Sequence, residues 1–141
     1  MEAAGPVVNA MVAVSEGRRS ALAAANEPIP VHQVIRALVD TGASHTSIEP
    51  AVLAKLGLTP TGKIEIVTPS TGTGTHTADT YDIDFSMYGA LTEPPLLLTN
   101  LRVSTAELYS RQGIHALIGR DILSKCVLHY NGTLNQFTLA F

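Results

Sequence analysis

The sequence predicts an all-β fold, and three observations carry that expectation. The 141 residues are 45% hydrophobic and 15% charged, and the apolar share is mostly Ala, Val, Ile and Leu, with no Trp and three Phe. Such a β-branched supply suits strands. Apolar runs of strand length recur along the chain, and segments rich in Gly, Pro, Thr or Asn separate them. The length provides one real core and is short for two, so a single domain over 1–141 is expected.

The first strand is expected at Val7–Ser15, in VVNAMVAVS. Gly17–Pro28 is Ala-rich and charged at its start. It fits a loop with a helical turn, an insertion, or a short irregular strand, and composition does not choose between them. Strand composition resumes in IPVHQVIRALVD, Ile29–Asp40. A short helix follows over Pro50–Leu56, with Ser47 suited to capping, Pro50 to the first turn and Gly57 to the exit. Its apolar stripe consists of Val52, Leu53 and Leu56.

Lys63–Thr68 and His76–Tyr88 read as two strands joined by the Gly- and Thr-rich Pro69–Thr75, a hairpin-loop composition. Leu96–Thr105 is a further strand, and His115–Lys125 reads as a strand running into a short helix. The chain closes on a hairpin, Cys126–Phe141, with Asn131-Gly132 at the turn. One internal echo stands out: Arg36-Ala37-Leu38-Val39-Asp40-Thr41-Gly42 has a partial counterpart in His115-Ala116-Leu117-Ile118-Gly119-Arg120-Asp121. The match is short, and an apolar strand ending at a glycine turn is common in β proteins.

Composition excludes several function classes. A formal charge of −3 with scattered basic residues provides no footprint for nucleic acid or an anionic membrane surface. Cys126 is the single cysteine, so a disulfide scaffold is excluded and a packing role is expected for it. His32, His45, His76, His115 and His129 lack metal-ligand spacing, so no metal is expected. The Gly-Thr segment has no following Lys and opens no helix, which argues against a phosphate loop. Asn131-Gly132-Thr133 fits a glycosylation sequon but fits a hairpin turn better. Pro6–Val14 is too short to span a bilayer and lacks a basic leader, which favours a cytoplasmic location.

The chemistry concentrates in ALVDTGASHTSI, Ala37–Ile48, where a buried-looking strand ends on a carboxylate and a turn of small residues. An isolated Asp-x-Gly is commonly a turn that bonds its own backbone. Here Asp40-Thr41-Gly42-Ala43-Ser44 follows an apolar strand, a Gly-rich hairpin lies mid-chain, and Ala116-Leu117-Ile118-Gly119-Arg120-Asp121-Ile122-Leu123 lies near the end. In this order, from Val7 to Phe141, the chain resembles the retropepsin-like aspartic proteases.

That resemblance implies a closed β-barrel with a flap hairpin and one or two short helices, acting as an aspartic endopeptidase on extended peptides without a cofactor. It also implies a homodimer, because the chain has one Asp-Thr-Gly: Asp40 and its symmetry mate would form the catalytic pair. Thr41 would bond across the dimer axis, and Gly42 would form the turn and admit substrate backbone. Ala43 and Ser44 would line the floor. Ser70, Thr71, Gly72, Thr73 and Gly74 would form the flap tip over bound peptide, and Arg120 would support the loop. Retroviral relatives carry an acid at the position of Ser44 that pairs with the late arginine. Ser44 cannot form that pair, so Arg120 is expected to bond to carbonyls or to an acid such as Asp121. Two other readings compete: a catalytically silent dimer of the same fold serving as a peptide-binding or assembly module, and a monomeric barrel carrying a small ligand.

Overall fold

The computed structural model describes residues 1–67, 74–107 and 112–141. Strand β1 (Val7–Val14) buries Ala10, Val12 and Val14 while the residues between them are only partly covered. β2 (Gln33–Val39) does the same with Ile35, Ala37 and Val39. This period-2 alternation packs one face on a core and leaves the other toward solvent. The remaining strands are β3 (Ser47–Ile48), β4 (Gly62–Ile66), β5 (His76–Met87), β6 (Leu96–Thr105), β7 (Ala116–Ile118), β8 (Val127–Asn131) and β9 (Gln136–Ala140).

Seven of these strands form one sheet in the order β1-β2-β7-β3-β6-β5-β4, and β1 also pairs with β5. The extra pairing closes six strands into a barrel, with β4 appended to the far edge of β5. Closure removes the free edges that an open sheet would expose. Val12, Ile48, Ile83, Phe85, Val103 and Ile118 fill the interior. β8 and β9 form a separate two-stranded sheet.

The internal echo has a structural counterpart. β2 and β7 lie side by side in parallel, in register Ala37↔Ala116, Leu38↔Leu117, Val39↔Ile118. The repeated residues are therefore direct neighbours, with Ala37, Ala116, Val39 and Ile118 all turned into the core.

The stretch left open by composition is a helix, α1 (Glu16–Ala24), rather than a loop or irregular strand. Ser15 ends β1 and caps α1 by accepting from the Arg18 N–H, and Glu16 pairs with Arg19 at 2.7 Å. At the exit Asn26 adopts φ 55, the Asn26 N–H donates to Ala23 and the Glu27 N–H to Leu22, a Schellman closure. α2 (Pro50–Lys55) lies where expected and buries Val52, Leu53 and Leu56, with Gly57 left-handed at its exit. The expected cap is corrected: Ser47 belongs to β3 and bonds Ser104 at 2.9 Å, and Glu49 takes the cap position. α3 (Arg120–Leu123) follows β7 directly, so with α1 the described residues hold one helix more than expected.

Two further boundaries differ from the sequence reading. β2 begins at Gln33, four residues late, because Ile29–His32 pair with no strand. In the terminal hairpin Asn131 pairs with Gln136, so the turn is the four-residue Gly132–Asn135 rather than Asn131-Gly132. Asn131 Oδ1 accepts from the Leu134 N–H, and the left-handed residue is Asn135. A side-chain bond thus closes the turn where a glycine was expected to. Among the described residues no helix is long and apolar enough to cross a membrane.

Candidate active site

Asp40 is the first residue past β2. Its N–H donates to the Ile118 carbonyl at 3.0 Å, so the strand ladder holds its backbone. The chain then folds back, with the Ala43 N–H donating to the Asp40 carbonyl at 3.2 Å and the Gly42 N–H to Asp40 Oδ1 at 2.9 Å. This is an Asx-type turn, and it fixes one carboxylate oxygen. A Cβ on Gly42 would lie 3.1 Å from that oxygen, close enough that the carboxylate would have to give by a few tenths of an ångström. Asp40 is partly buried, whereas Thr41, Gly42 and Ser44 are exposed and Ala43 is half-buried.

α3 secures the loop from the other side. The Arg120 N–H donates to the Ala43 carbonyl at 2.9 Å, and Arg120 Nη1 donates to the carbonyls of Thr41 at 2.9 Å and Gly42 at 3.2 Å. One arginine thus holds three successive carbonyls. Of the two partners expected for Arg120 in the absence of an acid at position 44, the structure selects the carbonyls.

Asp121 has different partners. Its Oδ2 accepts from the Thr46 N–H at 3.0 Å, and its Oδ1 accepts from the Thr46 hydroxyl at 2.8 Å and the Ile122 N–H at 2.9 Å. Thr46 is fully buried and accepts in turn from the Gly119 N–H at 3.1 Å. A carboxylate bonded by three donors is a structural clamp, so the second acid at this end of the chain is consumed. Gly119 itself is enclosed: a Cβ there would lie 2.5 Å from the His45 carbonyl carbon. Ser44 Oγ and His45 Nδ1 lie 3.0 Å apart on the exposed side of the loop.

Thr46, Gly119 and Asp121 were not singled out as site residues from the sequence. Their bonds span 73 to 75 residues, so no local spacing announces them. The available signals were the echo, which aligns Asp40 with Gly119, and the Ala116–Leu123 segment, which contains Gly119 and Asp121 but not Thr46. Of the expected flap residues, Ser70, Thr71, Gly72 and Thr73 lie outside the described residues, and Gly74 is exposed just before β5. β4 and β5 are paired in register from Gly62↔Thr80 to Ile66↔His76. Among the described residues no three His, Cys, Asp or Glu side chains cluster as a metal site.

A barrel closed by six strands, with an Asp-Thr-Gly loop at the end of β2 braced by an arginine helix, is the architecture of a retropepsin-like aspartic protease. A solved structure of a retropepsin-like aspartic protease from Rickettsia conorii has the same fold, with a TM-score of 0.50 at 16% identity over 96% of this chain and 91% of that one. The aspartyl protease family model matches residues 25–122, more than half of the sequence, so the chain belongs to that family. No curated protein sequence matches it.

Proposed function

We propose that the protein is an aspartic endopeptidase active as a homodimer, in which Asp40 of each copy supplies half of the catalytic pair. The observation that carries this reading is the incomplete set of acids. Asp40 is held by a braced loop with Oδ1 occupied by the Gly42 N–H, and among the described residues Oδ2 accepts no bond. The neighbouring Asp121 is fully engaged in structure. General acid and general base are both needed to hydrolyse an amide, and a second copy of Asp40 provides the missing one.

Two carboxylates held close share a proton, because like charges at that range cannot both ionise cheaply. The ionised member takes a proton from the water between them as its oxygen attacks the scissile carbonyl carbon. The protonated member donates to the carbonyl oxygen, and a tetrahedral diol forms. Its collapse breaks the C–N bond, the proton passing to the departing nitrogen. Thr41 would bond across the dimer axis, and Gly42, Ala43 and Ser44 would receive peptide backbone. The segment Ser70–Gly74 would close over the peptide and keep out bulk water. Substrates are extended peptides with apolar residues flanking the cut, bound by strand-like pairing.

The terminal hairpin offers a surface for the second copy. Leu128, Tyr130, Phe137 and Leu139 share one face through the pairs Leu128↔Leu139 and Tyr130↔Phe137; Leu139 packs against the barrel core, and Tyr130 at the other end of the face is exposed. A lone two-stranded sheet is marginal in water, and pairing with its own copy would cover that face.

The test is cleavage of a mixed peptide library by wild type and Asp40→Asn across acidic to neutral pH. Loss of at least about a thousandfold in rate is expected for the variant. Equal turnover by the two proteins would remove Asp40 from catalysis.

A further inference from the structure

β4 is the last strand of the seven-stranded sheet. β5 pairs along one side of it, from Gly62↔Thr80 to Ile66↔His76, and among the described residues no strand pairs along the other. An open edge is a row of backbone donors and acceptors ready for another strand, and folds commonly blunt it with a proline, a bulge or a lone lysine. β4 has no proline, and its register with β5 runs without a bulge.

The charges on β4 decide what can pair there. Lys63 and Glu65 are two residues apart and exposed, and they alternate with the half-buried Ile64 and Ile66. Two copies of β4 set antiparallel about a two-fold axis at Ile64 place Lys63 of each copy opposite Glu65 of the other. On the other face Ile64 meets its own copy, and Ile66 lies opposite Gly62. Neighbouring registers fail this test. Moving the axis to Lys63 sets lysine against lysine, moving it to Glu65 sets glutamate against glutamate, and a slip of one residue turns charged positions onto the apolar face. Among the described residues Lys63 pairs only with Asp79 of β5, at 3.8 Å, and its side chain stays 74% exposed. A second copy would therefore seat it between two acids.

We infer that the free edge of β4 is a self-association surface, at which a second copy of this chain continues the sheet by antiparallel pairing centred on Ile64. It uses neither Asp40 nor the terminal hairpin, so it is separate from the dimer proposed above and stands without it. Two five-residue strands cover little area, so the association is weak and depends on concentration. The test is sedimentation of the full chain at rising concentration, with Lys63→Glu and Glu65→Lys alone and mixed. Every chain carries Tyr130→Asp, so that the hairpin does not mask association through β4. Each charge variant turns both cross-strand pairs into like charges, and self-association is expected to weaken about tenfold. An equimolar mixture of the two restores opposite charges at both pairs and should associate within about twofold of the chain with the original charges. Mixing leaves each chain's own Asp79 contact as altered as before, so recovery reads only the contact between copies. No association of the chain with the original charges, equal association of all three chains, or a mixture no tighter than its components would overturn the proposal.

Discussion

The Asp40 loop and the terminal hairpin are both surface segments, yet they are built in opposite ways. Residues 40–46 are tied by Ile118, Arg120 and Asp121 to two other elements, with the carbonyls of Asp40, Thr41, Gly42 and Ala43 all bonded within the chain. Among the described residues β8 and β9 pair with each other and with no other strand, and their apolar face is partly covered at Leu128, Phe137 and Leu139 and open at Tyr130. Among the described residues, the bonds that tie the hairpin's far end to the rest of the chain run between Met1 and Asn135. If two copies form the proposed site, each would bring an Asp40 loop already fixed by folding and leave the joining surface to association.

The loop side of this contrast breaks most readily at Gly119. Gly119→Ala places a methyl 2.5 Å from the His45 carbonyl carbon, a backbone atom that cannot swing away. A loss of about 3 kcal/mol or more in urea unfolding is expected. A variant of unchanged midpoint would show that the loop gives way and is not clamped. Asp121→Ala comes next, because it strips acceptors from the Thr46 N–H and hydroxyl and from the Ile122 N–H. About 2–3 kcal/mol should be lost, most of it from leaving the N–H and hydroxyl donors of buried Thr46 without acceptors. Thr46→Val in the same background separates the hydroxyl from the backbone donor, and the two changes should be strongly non-additive.

The sequence shows the two regions unequally, for a physical reason. Asp40, Thr41 and Gly42 stand out because the turn they form uses those residue types in contiguous order. Five of the six barrel strands were legible from apolar runs between turn-rich segments, the two-residue β3 was not, and α2 was read from Pro50 and Gly57. Thr46, Gly119 and Asp121 were not, since their meaning exists only when β3 and α3 come together across 73 to 75 residues. α1 was open to reading: Ser15 before Glu16, the alanine run and Asn26 are capping signals that composition alone did not weigh. The hairpin turn was misplaced because Asn-Gly favours a two-residue turn locally, while the pairing of Asn131 with Gln136 demanded two residues more.

The hairpin side is probed by Tyr130→Asp. Tyr130 is 56% exposed, so the isolated chain should lose no more than about 0.5 kcal/mol. If the hairpin carries the second copy, the buried charge should weaken self-association by about tenfold or more in sedimentation, with cleavage falling in step with the dimer fraction. Unchanged association would move the interface elsewhere on the barrel and leave the apolar face of β8 and β9 without its proposed partner.

The smallest effect is expected at Cys126, which sits at the joint between the two regions. Its thiol donates to the Ile122 carbonyl at the end of α3, and the next residue begins β8. Partial burial pushes its pKa up, and nearby Lys125 only partly offsets this. The folded chain therefore keeps the thiol protonated to higher pH than the unfolded chain does. The associated stability is complete below the ordinary thiol value of 9.0 and declines as pH rises through the folded one. At pH 8 iodoacetamide should label Cys126 several-fold more slowly than it labels the urea-unfolded chain. Cys126 immediately precedes β8, so a second copy seated on the hairpin would shield its thiol further. Labelling should slow further as protein concentration rises and a second copy holds β8 and β9 down, whereas a rate independent of concentration would place the joint outside the associating surface.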